Sequence, residues 1–175
     1  MRRVRFSVAM SLDGYISGPN GESDWIVMDP EINFGALMRS FDTILLGRRT
    51  YEATRVQGGG SGMPGMSSYV FSRTLQQKDC PGVRVSDDPA EIVADLKSIE
   101  GKDIWLFGGG SLFCSFLQLG LVDAIEVAVI PVLLGAGVPL LPSPVQQAQL
   151  KLVNHRIYKS TGTVLLEYVP AKTAN

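Results

Sequence analysis

Strands and helices alternate in the pattern of apolar and polar positions along most of the chain. The first apolar run, Val4–Met10, alternates with polar residues and ends at the turn Asp13-Gly14, which is typical of a β-strand. From Asp88 to Ile99, apolar residues recur at helical spacing behind an N-cap aspartate and a proline, which indicates an amphipathic helix. Alternation of this kind is typical of an α/β fold with a parallel sheet.

Similar patterns predict the remaining elements. Short apolar runs predict strands at Thr43–Leu46, Tyr69–Phe71, Val83–Val85, Asp103–Phe107 and Val122–Ile130. Helical spacing predicts helices at Arg48–Ala53 and Ser111–Leu119, and a further helix from an N-cap Asp29 and Pro30 through Ile32, Phe34, Leu37, Met38 and Phe41. The segment Ser17–Asp29 is rich in turn-forming residues and is predicted to be a loop.

The end of the chain has a different pattern. Two apolar runs, Leu150–Tyr158 and Thr163–Val169, flank the polar turn Lys159–Gly162, which predicts an antiparallel hairpin. The complete pattern predicts one α/β domain over residues 1–175. We expect a mixed, mostly parallel central sheet flanked by helices, with the antiparallel hairpin at its C-terminus.

Composition and charge exclude several classes of protein. Hydrophobic residues make up 45% and charged residues 19% of the 175 residues, which excludes intrinsic disorder. A net charge of −1 without a block of like charges argues against binding to nucleic acid or to an anionic membrane. Residues Val127–Leu150 carry no charge, but prolines and glycines prevent one continuous membrane helix there. We therefore expect a soluble, cytoplasmic protein.

The sequence lacks the residues that a metal site or a catalytic triad requires. Cys80 and Cys114 are too few and too far apart in sequence to indicate a disulfide framework or a zinc site. The single histidine, His155, lies in a late strand away from every other candidate residue and is expected to be structural. A Ser–His–Asp triad therefore cannot be assembled.

The strongest local signal is a run of three glycines between a strand and a helix. The predicted strand Asp103–Phe107 continues into Gly108-Gly109-Gly110, and the next helix begins at Ser111. Glycines let the backbone approach a ligand, and a helix N-terminus presents unpaired N–H groups to an anion such as phosphate. The alternative is a tight turn that requires glycine only for its backbone conformation. The pattern matches neither the G-x-G-x-x-G nor the P-loop fingerprint.

Two further segments with anion-binding side chains follow predicted strands. Gly47-Arg48-Arg49-Thr50 offers two guanidinium groups and a hydroxyl, which can hold a phosphate by paired hydrogen bonds. Ser72-Arg73 repeats a hydroxyl and a guanidinium at another strand end. Either segment alone could be a solvated end of the sheet. Together with the glycine run, they predict strand ends that converge on a ligand with more than one phosphate.

Taken in order, these segments resemble the dihydrofolate-reductase-like superfamily, and within it the reductase domain of bacterial riboflavin biosynthesis. The resemblance is carried by Ser11–Ile16, Ser23–Trp25, Leu46–Glu52, Ser72-Arg73, Phe107–Ser111 and Ile130–Leu140. Each segment is weak alone, but the set spans nearly the whole chain in the family's order. A deaminase domain accompanies many of these reductases, and none is expected here because the chain starts at the reductase-like first strand.

The resemblance implies NADPH as the cofactor, bound across the strand ends. By matching position, Gly47, Arg48, Arg49 and Thr50 would hold the adenosine 2′-phosphate and the pyrophosphate, and Ser72 and Arg73 would face the 2′-phosphate. The pyrophosphate would lie against Gly108, Gly109, Gly110, Ser111 and Leu112, where this superfamily often has a non-proline cis peptide between two glycines. The backbone of Ala9 would line the nicotinamide pocket.

Candidates for the reacting centre are fewer. Asp13 ends the first strand beside the presumed nicotinamide and could orient the substrate or relay a proton, or it could belong only to the turn. Glu31 is the carboxylate nearest the place where dihydrofolate reductases bind the pterin ring, although an acidic residue at a helix N-terminus has a structural explanation as well. Trp25 could form an apolar wall of the substrate pocket or anchor its loop in the core.

The sequence as a whole predicts an NADPH-dependent reductase. Hydride would pass to a C=N or C=O bond of a small pterin-, pyrimidine- or sugar-linked substrate. The alternative is a non-catalytic nucleotide-binding module of the same fold. The resemblance and the uncharged stretch Val127–Leu141 indicate a homodimer, although that stretch could equally be interior sheet. The glycine-rich Gln57–Ser67 could be a mobile lid or a solvated connection.

Overall fold

The computed structural model describes residues 1–56, 63–142 and 147–171. The strands within these ranges are β1 (Val4–Ser11), β2 (Tyr15–Ser17), β3 (Phe41–Gly47), β4 (Ser67–Phe71), β5 (Arg84–Ser86), β6 (Asp103–Gly108), β7 (Ala124–Ile130), β8 (Val138–Pro139), β9 (Leu150–Tyr158) and β10 (Thr163–Pro170). The helices are α1 (Phe34–Arg39), α2 (Arg48–Val56), α3 (Pro89–Ser98) and α4 (Gly110–Gln118).

Eight of these strands form one sheet in the order β5-β4-β3-β6-β1-β7-β10-β9. The six strands from β5 to β7 are parallel to one another. Strand β10 runs antiparallel to both β7 and β9. The predicted mixed, mostly parallel sheet with an antiparallel C-terminal hairpin is therefore confirmed. Strands β2 and β8 form a separate two-stranded sheet.

Helices cover both faces of the parallel part of the sheet. On one face, apolar residues of α3 and α4 join a core that includes Phe6 and Val127, with the rings of Phe6 and Phe113 stacked at 3.8 Å between centroids. On the other face, α1 and α2 pack against a core around Ile44 and Trp105. Burial of these apolar side chains on both faces is the main force that holds the layers together. We call the two faces of the sheet the α3/α4 face and the α1/α2 face, after the helices that cover them.

The helix predicted to begin at Asp29 starts later than expected. Asp29 is 2% exposed, and its carboxylate accepts hydrogen bonds from the Glu31 backbone N–H at 2.9 Å and from Thr161 Oγ1 at 3.0 Å. This carboxylate therefore joins a turn to the β9–β10 hairpin instead of capping a helix. Helix α1 begins only at Phe34, behind an Asn33 N-cap. The predicted helical role of Glu31 is consequently wrong.

Three further predictions concern the end of α3, the uncharged stretch and the glycine-rich segment. Helix α3 has the predicted Asp88 N-cap but ends at Ser98, so Ile99 is 58% exposed instead of packed. Val127 and Ile130 are buried within the sheet, which places that part of the uncharged stretch in the interior. Residues 57–62 of the glycine-rich segment, where a lid or a solvated connection is expected, lie outside the described ranges. No described helix is long and apolar enough to cross a bilayer.

Candidate functional site

The carboxyl ends of five parallel strands lie side by side at one edge of the sheet. Strand register pairs Gly47 at the end of β3 with Phe71 at the end of β4, and Leu46 with Gly108 at the end of β6. The ends of β1 and β7 are level as well, since Ser11 pairs with Ile130. In α/β proteins this edge is where ligands bind. We call it the strand-end edge.

The structure brings the predicted segments Gly47–Thr50 and Gly108–Leu112 into contact. Thr50 Oγ1 accepts a hydrogen bond from the Gly109 N–H at 2.8 Å. A Cβ on Gly47 would lie 3.6 Å from both the Gly108 carbonyl oxygen and Leu112 Cβ. The peptide bond between Gly108 and Gly109 is cis, as the family resemblance implied. Ser72-Arg73 follows β4, which neighbours β3, so the three segments occupy adjacent strand ends.

The N-terminus of α4 opens toward this edge. The first backbone hydrogen bond of the helix runs from the Phe113 N–H to the Gly109 carbonyl at 3.1 Å. Within the described ranges, the N–H groups of Gly110, Ser111 and Leu112 have no protein acceptor. Unpaired N–H groups at the positive end of a nine-residue helix form a suitable site for an anion.

Three exposed arginines surround the same edge. Arg48 makes an ion pair with Glu52 at 3.2 Å, one turn further along α2. Such exposed pairs contribute little to stability, so this one can open for a ligand. The side chains of Arg49 and Arg73 make no hydrogen bond or ion pair with any residue that the structure describes. Ser72 Oγ accepts from the backbone N–H groups of Thr74 and Leu75 at 3.1 and 3.0 Å, which fixes the turn that carries Arg73.

Asp13 connects the turn after β1 to the segment after β7. Its carboxylate accepts hydrogen bonds from Ser11 Oγ at 2.6 Å and from the backbone N–H groups of Leu134 and Gly135 at 3.1 and 2.7 Å. The hydrogen bond from Ser11 has the largest effect on this carboxylate. Together with the two backbone hydrogen bonds, it lowers the pKa of Asp13 to about 2. The carboxylate is therefore ionised at neutral pH, a state in which it accepts hydrogen bonds and has no proton to donate.

Replacing Asp13 by asparagine should change how stability depends on pH. Because the folded-state pKa of about 2 lies below the ordinary 3.8, the ionised carboxylate stabilises the native state above about pH 4, and this contribution is lost as the pH falls through 2. Urea unfolding between pH 6 and about pH 2 should therefore show a smaller fall for Asp13→Asn than for the parent. Parallel pH profiles for the two proteins would show that the hydrogen bonds to Asp13 contribute nothing to folding.

The segment after β7 closes the strand-end edge on one side. It returns as β8, which pairs with β2, and the Leu140 N–H donates to the Gly14 carbonyl at 2.9 Å. Gly110 lies directly beneath it, since a Cβ there would come within 2.5 Å of the Leu140 carbonyl oxygen. Strands of two and three residues are too short to give a periodic pattern, and this small sheet was therefore not predicted from the sequence.

On the α1/α2 face, the sheet below the strand-end edge is only partly covered, and we call this region the cleft. Side chains of neighbouring central strands, paired across the sheet, point toward this region. They are only half-buried. The floor consists of Ser7, Ala9, Phe107, Glu126, Ala128, Leu165 and Glu167. Side chains at the middle of an eight-stranded sheet are normally covered, so this opening provides space for a ligand beside the strand ends. Ala9 borders both the cleft and the edge.

Segments on either side define the limits of the cleft. At the lower end, Arg5 Nη1 donates to Ser40 Oγ at 3.1 Å, just after α1. At the upper end, the Asp29–Thr161 bond fastens the loop after β2 to the hairpin. On the outer side, Glu31 receives an ion pair from Arg156 at 2.9 Å.

Trp25 lies in the loop between β2 and Asp29. Its side chain is half-buried, and its indole N–H donates to the Glu22 carbonyl at 3.1 Å. This bond is internal to the loop, and Trp25 is not among the residues of either core, so its role stays a prediction.

The charged groups in the cleft were not predicted from the sequence. Arg5 donates from Nε and Nη2 to Glu126 at 2.8 and 2.9 Å and from Nη1 to Asp103 at 3.2 Å. Burial raises the pKa of Asp103, but hydrogen bonds and charges from Arg3 and Arg5 outweigh burial and lower it. Isolated charges inside strongly apolar strands, such as Glu126 and Glu167, were the signal that could have revealed the cleft.

The fold and its edge can be compared with known proteins. The uncharacterized protein YyaP of Bacillus subtilis (strain 168) is 39% identical over 178 residues, which cover 95% of this chain and 94% of YyaP. A protein of Shewanella sp. PV-4, provisionally named a riboflavin biosynthesis protein, has a solved crystal structure. It matches with a TM-score of 0.77 and 26% identity, over 98% of this chain and 100% of that one. Dihydrofolate reductase from Enterococcus faecalis, solved with NADP(H), matches with a TM-score of 0.69 and 16% identity over 97% of both chains.

These similarities define the protein class. The central sheet, its strand order and the structural matches identify a dihydrofolate-reductase-like fold. Residues 2–165 match the RibD C-terminal domain, and the chain belongs to that family. The superfamily expected from the sequence is thus confirmed.

Proposed function

We propose that the protein is an NADPH-dependent reductase of a small substrate. The observation that carries the proposal is the meeting of two sites at Ala9. One is the strand-end edge, with unpaired helix N–H groups and exposed arginines, and the other is the half-open cleft on the sheet. NADPH, when bound, supplies a hydride from its nicotinamide ring. The protein then has to hold phosphates on one side of Ala9 and a substrate on the other.

The donors at the strand-end edge fit the charges of this cofactor. The N–H groups of Gly110, Ser111 and Leu112 are suited to the pyrophosphate, while Gly108 and Gly109 provide close backbone approach. Gly47 and Thr50 hold the adjoining strand end against this glycine run. Further along the edge, the guanidinium groups of Arg48, Arg49 and Arg73, with Ser72, are suited to the 2′-phosphate that distinguishes NADPH from NADH.

We assign the substrate to the cleft, where a C=N or C=O bond would accept the hydride next to Ala9. Asp13 acts as a positioning residue, because its ionised carboxylate holds the segment after β7 against the β1 turn. Glu31 is placed at the outer rim of the cleft by Arg156 and can contact a substrate that reaches that far. Trp25 supports the loop above the cleft.

Consumption of NADPH tests the reductase proposal directly. Purified protein should oxidise NADPH, followed by loss of nicotinamide absorbance, with at least one member of a panel of pterins, amino-pyrimidines, imines and carbonyl compounds. The parallel assay with NADH should be slower. Tight NADPH binding without turnover of any panel member would instead support the non-catalytic nucleotide-binding module. Failure to bind NADPH would contradict both functions.

We further propose that two copies associate through the outer strands β9 and β10. Leu150, Leu152 and Ile157 are 41%, 47% and 60% exposed, and register places them on the α3/α4 face. Lys151 and Arg156 point to the opposite face, so two copies can join these apolar surfaces without bringing cations together. No described helix covers this part of the sheet, and a second copy of the same surface would bury it.

Sedimentation equilibrium at micromolar concentration tests the homodimer. The parent protein should sediment as a dimer, and the double variant Leu152→Asp/Ile157→Asp should sediment as a monomer, because it places charges in the apolar interface. Ile99→Asp changes an equally exposed apolar residue away from the interface and should leave the dimer intact. A monomeric parent protein would end the homodimer proposal.

A further inference from the structure

We infer that Phe107 is a specificity-determining residue of the substrate site, because a break in the strand pairing places its ring in the cleft. This ring favours substrates that carry the reducible C=N or C=O bond on a planar ring over open-chain or saturated ones. The inference rests on the proposed function only in calling the ligand of the cleft the substrate. It adds a residue that contacts the substrate and the shape of the group that this residue accepts.

Phe107 lies where β6 loses its pairing with both neighbouring strands. On one side, Leu45 pairs with Leu106, and the next residue of β3 already pairs with Gly108. Phe107 is therefore an extra residue opposite β3. On the other side, the pairing of β1 with β6 ends at Leu106, although β1 continues beside β7 to Ser11. Among the described strands, Phe107 is thus the one residue of β6 without a cross-strand partner. Bulges of this kind re-aim a side chain and are frequent beside active sites.

The alternation of side chains along β6 directs Phe107 toward the cleft. Leu106 packs in the core of the α3/α4 face, whereas Trp105 and Phe107 belong to the α1/α2 face. Trp105 is 6% exposed, but Phe107 is only half-buried. Next to it in β1, Ser7 and Ala9 present small side chains on the same face. A flat group therefore has room against the uncovered part of the Phe107 ring.

Neighbouring aromatic residues fix the orientation of the Phe107 ring. Trp105 lies edge-on to it, at 4.9 Å between ring centroids and an interplanar angle of 86°. Trp105 in turn stacks on Phe41 at 5.5 Å, and its indole N–H donates to the Ser7 carbonyl at 3.2 Å. Phe41 and Trp105 are buried, so Phe107 is the half-buried end of a row of three rings. A ring held in this way loses little conformational freedom when a ligand stacks on it.

The position of Phe107 connects it to the proposed site of hydride transfer. It directly precedes Gly108, the first residue of the glycine run at the strand-end edge. A group stacked on Phe107 therefore lies beside Ala9, where the cofactor and the substrate are proposed to meet. A planar ring can contact an aromatic ring over its whole area, whereas a puckered, saturated ring contacts it through fewer atoms.

Uracil and 5,6-dihydrouracil are matched probes for this contact, because their polar groups are the same and only uracil has a fully planar, unsaturated ring. Backbone amide NMR titrations measure their binding without cofactor or turnover. Uracil should shift the amide signals of Ser7, Ala9 and Phe107. The parent protein should bind uracil about fivefold more tightly than dihydrouracil, since the full stacking contact forms only with the planar ring.

Three variants show whether the Phe107 ring causes this preference. Phe107→Leu keeps an apolar side chain but removes the ring, so the ratio of the two affinities should fall to about one. Phe107→Tyr keeps the ring and should retain the ratio. Tyr69→Leu removes a half-buried ring from the α3/α4 face and should retain it as well. Because the ratio compares two ligands on one protein, a loss of stability lowers both affinities and leaves the ratio unchanged.

The outcomes separate this inference from the proposed function. Absence of uracil shifts at Ser7, Ala9 and Phe107, equal affinities of the parent for the two probes, or a parental ratio in Phe107→Leu would each overturn the inference. Loss of the ratio in Tyr69→Leu would also count against it. None of these results depends on NADPH. Failure of NADPH oxidation with every compound of the panel would count against the reductase proposal and leave the uracil shifts unchanged.

Discussion

Replacing Arg48 and Arg73 together by alanine is expected to weaken NADPH binding about 100-fold and NADH binding less than about threefold. Both guanidinium groups lie at the strand-end edge, where Arg73 has no carboxylate partner within the described residues and Arg48 has only the exposed Glu52. Each charge-assisted hydrogen bond to a phosphate contributes about 1.5–3 kcal/mol, and NADH lacks the phosphate that these side chains would contact.

Fluorescence titration of both nucleotides measures this selectivity. Lys151→Ala removes a positive charge from β9, far from the strand-end edge, and should leave both affinities unchanged. Equal losses for NADPH and NADH in the double variant would show that the two arginines do not recognise the 2′-phosphate. Circular dichroism of each variant confirms that the fold is retained.

Gly110→Ala is expected to destabilise the protein by about 1–3 kcal/mol or more and to weaken NADPH binding. The added Cβ would lie 2.5 Å from the Leu140 carbonyl oxygen and 3.1 Å from the Pro139 carbonyl oxygen. Both atoms belong to the backbone of the segment that closes the edge, and backbone cannot rotate away as a side chain can. The start of α4 and that segment must therefore move apart, which also displaces the unpaired N–H groups.

Urea unfolding with Gly35→Ala as the matched control separates this effect from helix propensity. Gly35 is also at the start of a helix, but a Cβ there would lie 3.2 Å from the end of the flexible Arg39 side chain and 3.8 Å from Asn33 Oδ1, an ordinary contact distance. Gly35→Ala should therefore be neutral or stabilise by about 0.5–1 kcal/mol. If both variants unfold at the same urea concentration as the parent, the close packing of Gly110 against residues 139–140 is wrong.

Much of the fold could be predicted from the sequence, as could the convergence of the segments at Gly47, Ser72 and Gly108 on one edge of the sheet. The central strands are short and apolar. Glycines mark the ends of two of them, at Gly47 and Gly108, and arginines follow the ends of β3 and β4. Because parallel strands end at the same edge, these separate signals converge without knowledge of long-range contacts. The N-cap of α3 at Asp88 was also visible, because its hydrogen bonds are local.

The cleft could not be predicted in the same way. Glu126 and Glu167 face each other only because β7 and β10 pair in one register, and a sequence shows neither that register nor which face remains open. The prediction that Asp29 caps a helix was wrong for a related reason. Its local pattern matches a helix cap, but the carboxylate bonds Thr161, a partner distant in sequence. Long-range hydrogen bonds of this kind override local propensity.

A crystal structure of the protein with NADPH would show where each part of the cofactor binds. We expect the pyrophosphate against the N–H groups of Gly110, Ser111 and Leu112, the 2′-phosphate between Arg48 and Arg73, and the nicotinamide at Ala9, facing the cleft. Density for the cofactor away from the three glycines, or none in crystals grown with saturating NADPH, would contradict this expectation.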